Sequence, residues 1–288
     1  MQVRPLTSAL GAEITGIDLT GAISDEAYGV VRRAFFDHGV VVLRRQQPTP
    51  DQFVAFGERF GRLIPHRSVE RQHPDCPKIA LLARGSTEEK SWTDETGHRR
   101  DEDWGIELNG WHTDLSYQSV PLMATAILTP DAPRTGGDLS FLSSYAAYDA
   151  LPSALQKRIE GRIGTFCFAG RAAWKVREAW KLHDPSHQQR DIPVVQHPAV
   201  LVHPETGRKA LYVHPLHSLG FVDIPEEDAD ELLDEIFHHS IKPEWEYRHK
   251  WEAGDLVLWD NRSTFHSAIL GSAPRQRRPV WRLSIMPN

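Results

Sequence analysis

Short apolar runs of strand length, broken again and again by proline and glycine, set the first limit on how this chain can fold. GWHTDLSY, LMATAIL and GDLSFLS are separated by Pro121, Pro130, Pro133, Gly136 and Gly137, and AVLVH, KALYVH, WEYRHKW, DLVLWD and PVWRLSIM follow. Earlier in the chain GVVVLR and PKIALLA have the same length and character. Many short strands joined by tight turns predict an antiparallel barrel or jelly roll. Helical spacing is confined to a few places. Residues 24–38, SDEAYGVVRRAFFDH, open on a serine cap, and TPDQFVAFGERF at about 50–60 starts on Pro50 and Asp51 and stops at Gly61. AAYDALPSALQKRIEG at 146–161 reads as a helix and RAAWKVREAWKLH as another, which places a helical insertion at about 142–200. The expectation is an α+β chain with helices packed outside the strands.

The 288 residues can bury one large core, so a single domain spanning 1–288 is the default. A formal net charge of -6 gives no basic face for nucleic acid. The opening MQVRPLTSALGAEITG lacks the apolar core of a signal peptide, and no run approaches the roughly 20 apolar residues of a membrane span. A cytoplasmic protein is expected. Cys76 and Cys167 stand in no metal-ligand spacing and read as two reduced thiols. Residues 84–110 are dense in charge and poor in periodicity; such a long loop is either disordered or an active-site cover.

Histidine is over-supplied, with 15 copies, and one metal site consumes only a few. His112-Thr113-Asp114 places an imidazole and a carboxylate at i and i+2, which on a strand project from one face toward one ion. A third ligand must come from elsewhere. Two histidines and one carboxylate make a facial triad, the set that suits non-haem iron(II) and leaves open positions. Alone, His-x-Asp is also explained by a surface histidine and aspartate. Its company matters more: Trp111 precedes it, a Gly-Gly-Asp turn begins at Gly136, WDNRSTFH ends in His266, and RRPVWR runs from Arg277 to Arg282.

GAEITGIDL, GVVVLRRQ, FGERFGRL, WHTD, GGDLSF, AAYDALP, GDLVLWDNR and RRPVWR together resemble the taurine dioxygenase and dichlorophenoxyacetate dioxygenase (TauD/TfdA) family along nearly the whole chain. The resemblance implies a double-stranded β-helix core, jelly-roll and cupin-like, holding iron(II) between His112, Asp114 and His266. It implies 2-oxoglutarate as co-substrate with dioxygen, and Arg278 as the cation for the distal carboxylate of 2-oxoglutarate. A guanidinium offers the two-donor fork that a carboxylate needs. Arg282, four residues on and on the same strand face, matches the arginine that relatives acting on sulfonates use for the substrate anion; a salt bridge to an acidic side chain is the other reading. His66 falls where some members place a substrate-contacting histidine. One departure stands out: threonine usually follows the Gly-Gly-Asp and contacts the co-substrate, and here the residue is Leu139.

The implied reaction releases succinate and carbon dioxide and hydroxylates a small carboxylate or sulfonate; beside a heteroatom the product falls apart. Asp114 argues against a halogenase, which has a small residue there. A non-catalytic cupin-like metal-binding or sensor protein is the alternative, and it needs no Arg278. The expected partner is a small molecule, with no nucleic acid and no membrane, and a homo-oligomer is expected. The other histidines read as structural. Pro185 breaks the helix that His183 and His187 would need, His214 and His217 sit in a strand and turn, and His238 and His239 end a helical run. Trp111, Tyr117 and Trp259 either line the pocket or pack the core.

Overall fold

The apolar run at 24–38 becomes a helix because both of its ends are chemically specified. Helix α1 (Asp25–His38) starts where the Ser24 hydroxyl accepts from the Ala27 N–H, and it stops at Gly39, left-handed at φ 71°. Strand β3 (Val40–Leu43), buried throughout, follows at once. Helix α2 (Pro50–Glu58) carries a full capping box between Thr49 and Gln52. The computed structural model describes residues 1–83, 110–130, 138–168, 170–171, 193–268 and 279–288. The charged segment 84–109, nearly all of the expected helix at 171–183, Gly136, Gly137, Arg277 and Arg278 lie outside the described residues.

Two strands that the apolar pattern does not announce precede the first helix, β1 (Gln2–Pro5) and β2 (Ala12–Thr15). After α2 come β4 (Arg62–Ile64), β5 (Ala80–Ala83), β6 (Ala124–Thr129) and β7 (Leu139–Ser143). The helix expected at 146–161 is two, α3 (Ser144–Asp149) and α4 (Ser153–Ile159), parted at Pro152, which has no N–H to continue a helix. The region expected as a helical insertion also carries β8 (Ile163–Phe166) and β9 (Val195–Pro198). The chain continues through β10 (Val200–Val202), β11 (Lys209–Leu211), β12 (Ser218–Phe221) and α5 (Glu226–Ser240). It ends with β13 (Glu246–His249), β14 (Asp255–Asp260), β15 (Thr264–Ala268) and β16 (Pro279–Met286).

Two sheets define the interior. The larger runs β1-β2-β3-β14-β6-β16-β4 with β5 on β16, and the smaller runs β13-β7-β15. Among the described strands of the larger sheet only β2 and β3 pair in parallel. Alternation along the strands sorts residues onto two faces. One face of the larger sheet packs Val41, Leu43, Leu256, Leu258 and Leu283 against Phe35 of α1 and Phe53 of α2. The other sends Val40, Val42, Val257 and Trp259 to meet Leu139 and Phe141 of the smaller sheet. Burial of such side chains contributes about 1.5–3 kcal/mol each, so these layers hold the two sheets face to face. The outer side of the smaller sheet, with Leu142 and Phe265, packs under α3, α4 and α5.

GWHTDLSY is not a strand. His112 makes a single antiparallel bridge with His266, and the chain turns at residues 114–117. Leu115 takes φ 54°, rare for a residue with a branched side chain, at the start of that turn.

Candidate active site

His266 lies on β15 opposite Phe141, whose side chain belongs to the core between the sheets, so the imidazole points inward. His112 reaches the same place because two backbone bonds clamp it there: its N–H donates to the His266 carbonyl at 3.0 Å, and its carbonyl accepts from the His266 N–H at 2.8 Å. The two rings stand 4.2 Å apart, centre to centre. Asp114, two residues on, enters from the turn and not from a strand face. One ligand atom from each of His112, Asp114 and His266 lies within 4.8 Å of the other two, the only such cluster of histidine, cysteine and acidic side chains among the described residues.

The donor chemistry fits a divalent first-row metal. The His112 Nδ1 lies 2.8 Å from the Gly110 carbonyl, which can only accept, so that nitrogen carries the proton and Nε2 keeps its lone pair. The His266 Nε2 sits 3.7 Å from Asp114 Oδ1, and its Nδ1 is buried without a partner. Burial pushes His112 below the ordinary imidazole range and His266 down to about 3, so both rings are neutral at pH 7. Burial pushes Asp114 the other way, but the Arg282 charge, together with the Thr125 hydroxyl, outweighs it and holds the carboxyl well below its usual range. Two neutral imidazoles and an ionised carboxylate are the ligand forms a metal needs.

Behind Asp114 lies a set of buried hydrogen bonds. Thr125 donates to Asp114 Oδ2 at 2.6 Å, and Asn261 Nδ2 donates to the Thr125 hydroxyl at 3.0 Å. Asn261 Oδ1 accepts from the Asp114 N–H at 3.2 Å and from Trp259 Nε1 at 3.1 Å. The Thr113 hydroxyl donates to the Asn261 carbonyl at 2.5 Å. Asn261 is held in turn by the β14–β15 turn, where Asp260 accepts from both arms of Arg262 and pairs with His203 at 2.9 Å. Thr125 stands opposite Trp259 on β6, on the inner face.

Arg282 registers with Ile127 of β6 on the same inner face, and its Nη2 lies 2.9 Å from Asp114 Oδ1. Its Nε is buried with no partner. The other residues singled out from sequence distribute unevenly. His66 is half-buried, and its ring accepts the Ser68 N–H at 3.0 Å. Arg278 lies outside the described residues. Leu139 is buried in the apolar core between the sheets, and Thr129, also on β6, leaves a buried hydroxyl without a partner. His214 shares a hydrogen bond with Ser116 at 3.0 Å. His217 packs edge-on to His112 and Tyr117 with Phe168 stacked beside it, and burial lowers its pKa to about 4. The Cys167 and Phe168 carbonyls lie close enough to oppose that shift, yet its Nδ1 makes no hydrogen bond of good geometry. His238 and His239 end α5, Trp111 packs under the outer helices, and His183 and His187 lie outside the described residues. Thr125 and Asn261 carry no sequence signal of their own beyond the WDNR string.

Two histidines and a carboxylate gathered inside a pair of facing sheets make a set that could hold one metal ion. The profile of the "Taurine catabolism dioxygenase TauD, TfdA family" matches residues 2–284, and the chain belongs to that family. It is 32% identical over 265 residues to the alpha-ketoglutarate-dependent 2,4-dichlorophenoxyacetate dioxygenase of Cupriavidus pinatubonensis, covering 91% of this chain and 90% of that one. It is 29% identical over 294 residues to the alpha-ketoglutarate-dependent sulfonate dioxygenase of Saccharomyces cerevisiae, covering 99% of this chain and 66% of that one. The crystal structure of a taurine dioxygenase from Burkholderia xenovorans superposes with a TM-score of 0.81 at 28% identity, over 100% of this chain and 89% of that one. The protein is an enzyme, a 2-oxoglutarate-dependent non-haem iron dioxygenase.

Proposed function

We propose that the enzyme hydroxylates a small anionic organic molecule, consuming dioxygen and 2-oxoglutarate and releasing succinate and carbon dioxide. One oxygen atom goes into the substrate C–H bond and the other into succinate, so the balance closes. Where the hydroxylated carbon bears oxygen or sulfur, the product breaks at that C–O or C–S bond. The observation that carries this reading is the position of Arg282: a guanidinium on the inner face whose Nη2 pairs with Asp114 Oδ1 at 2.9 Å and whose buried Nε–H has no partner among the described residues. A buried donor left over in this way is costly unless a second anion, from the substrate, meets it. The named activities of the relatives, on a sulfonate and on an aryloxy acid, agree with an anionic substrate.

In this reading His112, Asp114 and His266 hold iron(II), and the bound metal supplies the activation of dioxygen that the side chains lack. The histidines enter that role already neutral and the carboxylate already ionised. Arg282 orients the substrate anion, Arg278 takes the distal carboxylate of 2-oxoglutarate, and His66 borders the substrate. The two facing sheets are read as one double-stranded β-helix domain. A metal-binding protein without chemistry is the second reading, and nothing about Arg282 favours it.

Succinate release with iron(II) and 2-oxoglutarate, measured against sulfonates, aryloxy acids and amino acids, tests the reaction and identifies the substrate class. His112→Ala, Asp114→Ala and His266→Ala should each abolish metal binding and turnover, because removing one ligand leaves too few donors to fix the metal. Full turnover in any one of them would overturn the triad, and oxygen uptake indifferent to 2-oxoglutarate would overturn the reaction.

A further inference from the structure

Asp114 has two oxygens, and the hydrogen bonds around it distinguish them. Asn261, which anchors them, is 2% exposed. Both the Asp114 N–H and the Trp259 Nε1–H converge on one end of its carboxamide, at 3.2 and 3.1 Å. Those groups only donate, so the end they meet is the oxygen and the other end is the NH2. The NH2 faces the Thr125 hydroxyl at 3.0 Å, and since it can only donate, the hydroxyl accepts. Thr125 has one proton left to place. The ionised Asp114 Oδ2 stands 2.6 Å away and can only accept, so the proton goes there. Thr125 is fully buried, which leaves no water to offer an alternative.

The other oxygen, Oδ1, has a different company: His266 Nε2 at 3.7 Å and Arg282 Nη2 at 2.9 Å. We infer that Asn261 and Thr125 form a positioning relay that fixes Asp114 to serve a metal through Oδ1 alone. The relay rests on the reading of His112, Asp114 and His266 as metal ligands. Its value to the reaction is that the second carboxylate oxygen stays off the metal, leaving coordination positions for the co-substrate and dioxygen. Thr125 and Asn261 act through Asp114 and touch no substrate. The direction of each proton is imposed by donors that have no choice, so the relay has only one arrangement.

Cobalt(II), titrated into the metal-free enzyme and followed by its visible absorption, tests the relay without reference to turnover. The wild type should bind one ion per chain. Thr125→Val removes the proton and should weaken binding about 10–100-fold, the usual cost of losing an outer hydrogen bond to a ligand, and should change the visible band as the carboxylate turns. Thr125→Ser keeps the proton and should stay within about threefold of wild type, even where its melting temperature falls as far as that of the valine variant. Should the valine variant fail to fold, Asn261→Asp gives the same reading, because its carboxylate still accepts from Asp114 and Trp259 but cannot donate to Thr125. Equal weakening by valine and serine, or unchanged cobalt binding and spectrum with valine or aspartate, would overturn the relay. Absence of stoichiometric cobalt binding in the wild type would overturn the metal site itself, and the relay with it.

Discussion

Metal-free enzyme should be acid-labile, and the effect follows from five buried imidazoles. Burial holds His112, His197, His214, His217 and His266 below the ordinary histidine range, with His217 at about 4 and His266 at about 3. As pH falls through about 6.5 the unfolded chain takes up a proton on each, while the folded chain does not. Stability is therefore full above that value and is lost as pH falls toward the folded values. Asp114, also held low in the fold, adds a loss of the same sign below about pH 4. Between about pH 7.0 and 5.5 His217 and His266 each forfeit about 1.2 kcal/mol, about 2.5 kcal/mol together, and the other three add a loss of the same sign. That is a large share of the stability of many domains, about 5–15 kcal/mol. Urea unfolding of chelator-treated enzyme at the two pH values measures it. His217→Phe, which keeps a ring where Tyr117 and Phe168 pack, should remove about 1.2 kcal/mol of the pH dependence. A total change below about 2 kcal/mol, or a phenylalanine variant with the wild-type dependence, would refute the reasoning.

Arg282→Ala should raise the Michaelis constant for the anionic substrate about 30-fold. Truncating a buried charged partner costs about 2–5 kcal/mol, and the side chain's 22% exposure places it at the lower end; the charge-transfer absorption of 2-oxoglutarate on the iron enzyme should be unchanged, and its loss would reassign Arg282 to the co-substrate. Gly39→Ala should lower unfolding stability by about 2 kcal/mol in a urea titration, since the residue is at φ 71° and the new Cβ would fall 2.9 Å from the Thr264 methyl; a change under about 0.5 kcal/mol would mean that the turn yields.

The helices and strands that the sequence announces are those whose ends or faces are written locally. Ser24 and Gly39 bound α1 and Thr49 with Gln52 starts α2, because capping is decided within four residues. DLVLWD and PVWRLSIM are legible as β14 and β16 because both of their faces are covered and the apolar run is nearly continuous. β1, β4 and β8 are not legible. They are three or four residues long, with exposed positions that break the pattern, and they exist because a neighbouring strand supplies hydrogen bonds, from 7 to 13 residues away for β1 and from much farther for β4 and β8. WHTD fails in the opposite way: its strand-like pattern ends in a turn, since His112 needs only one bridge to His266 to be held.

The same distinction governs the site. His112 and Asp114 can be read from adjacent positions, and His266 from its place in a resemblance, but no local rule leads to Thr125. Its hydroxyl matters only because β6 lies between β14 and β16, which sets Thr125 opposite Trp259 and, on its other side, opposite Ser284. That register puts the hydroxyl within reach of both Asn261 and Asp114. Arg282 shows how far spacing alone can go. An arginine that faces the interior demands an anion, and that much follows from desolvation. The first one it meets is set by a fold that brings Asp114, 168 residues earlier in the chain, to within 2.9 Å of Arg282. The sequence therefore states the demand and the register supplies the partner, so the residues that tune a metal ligand are the last ones a sequence reveals.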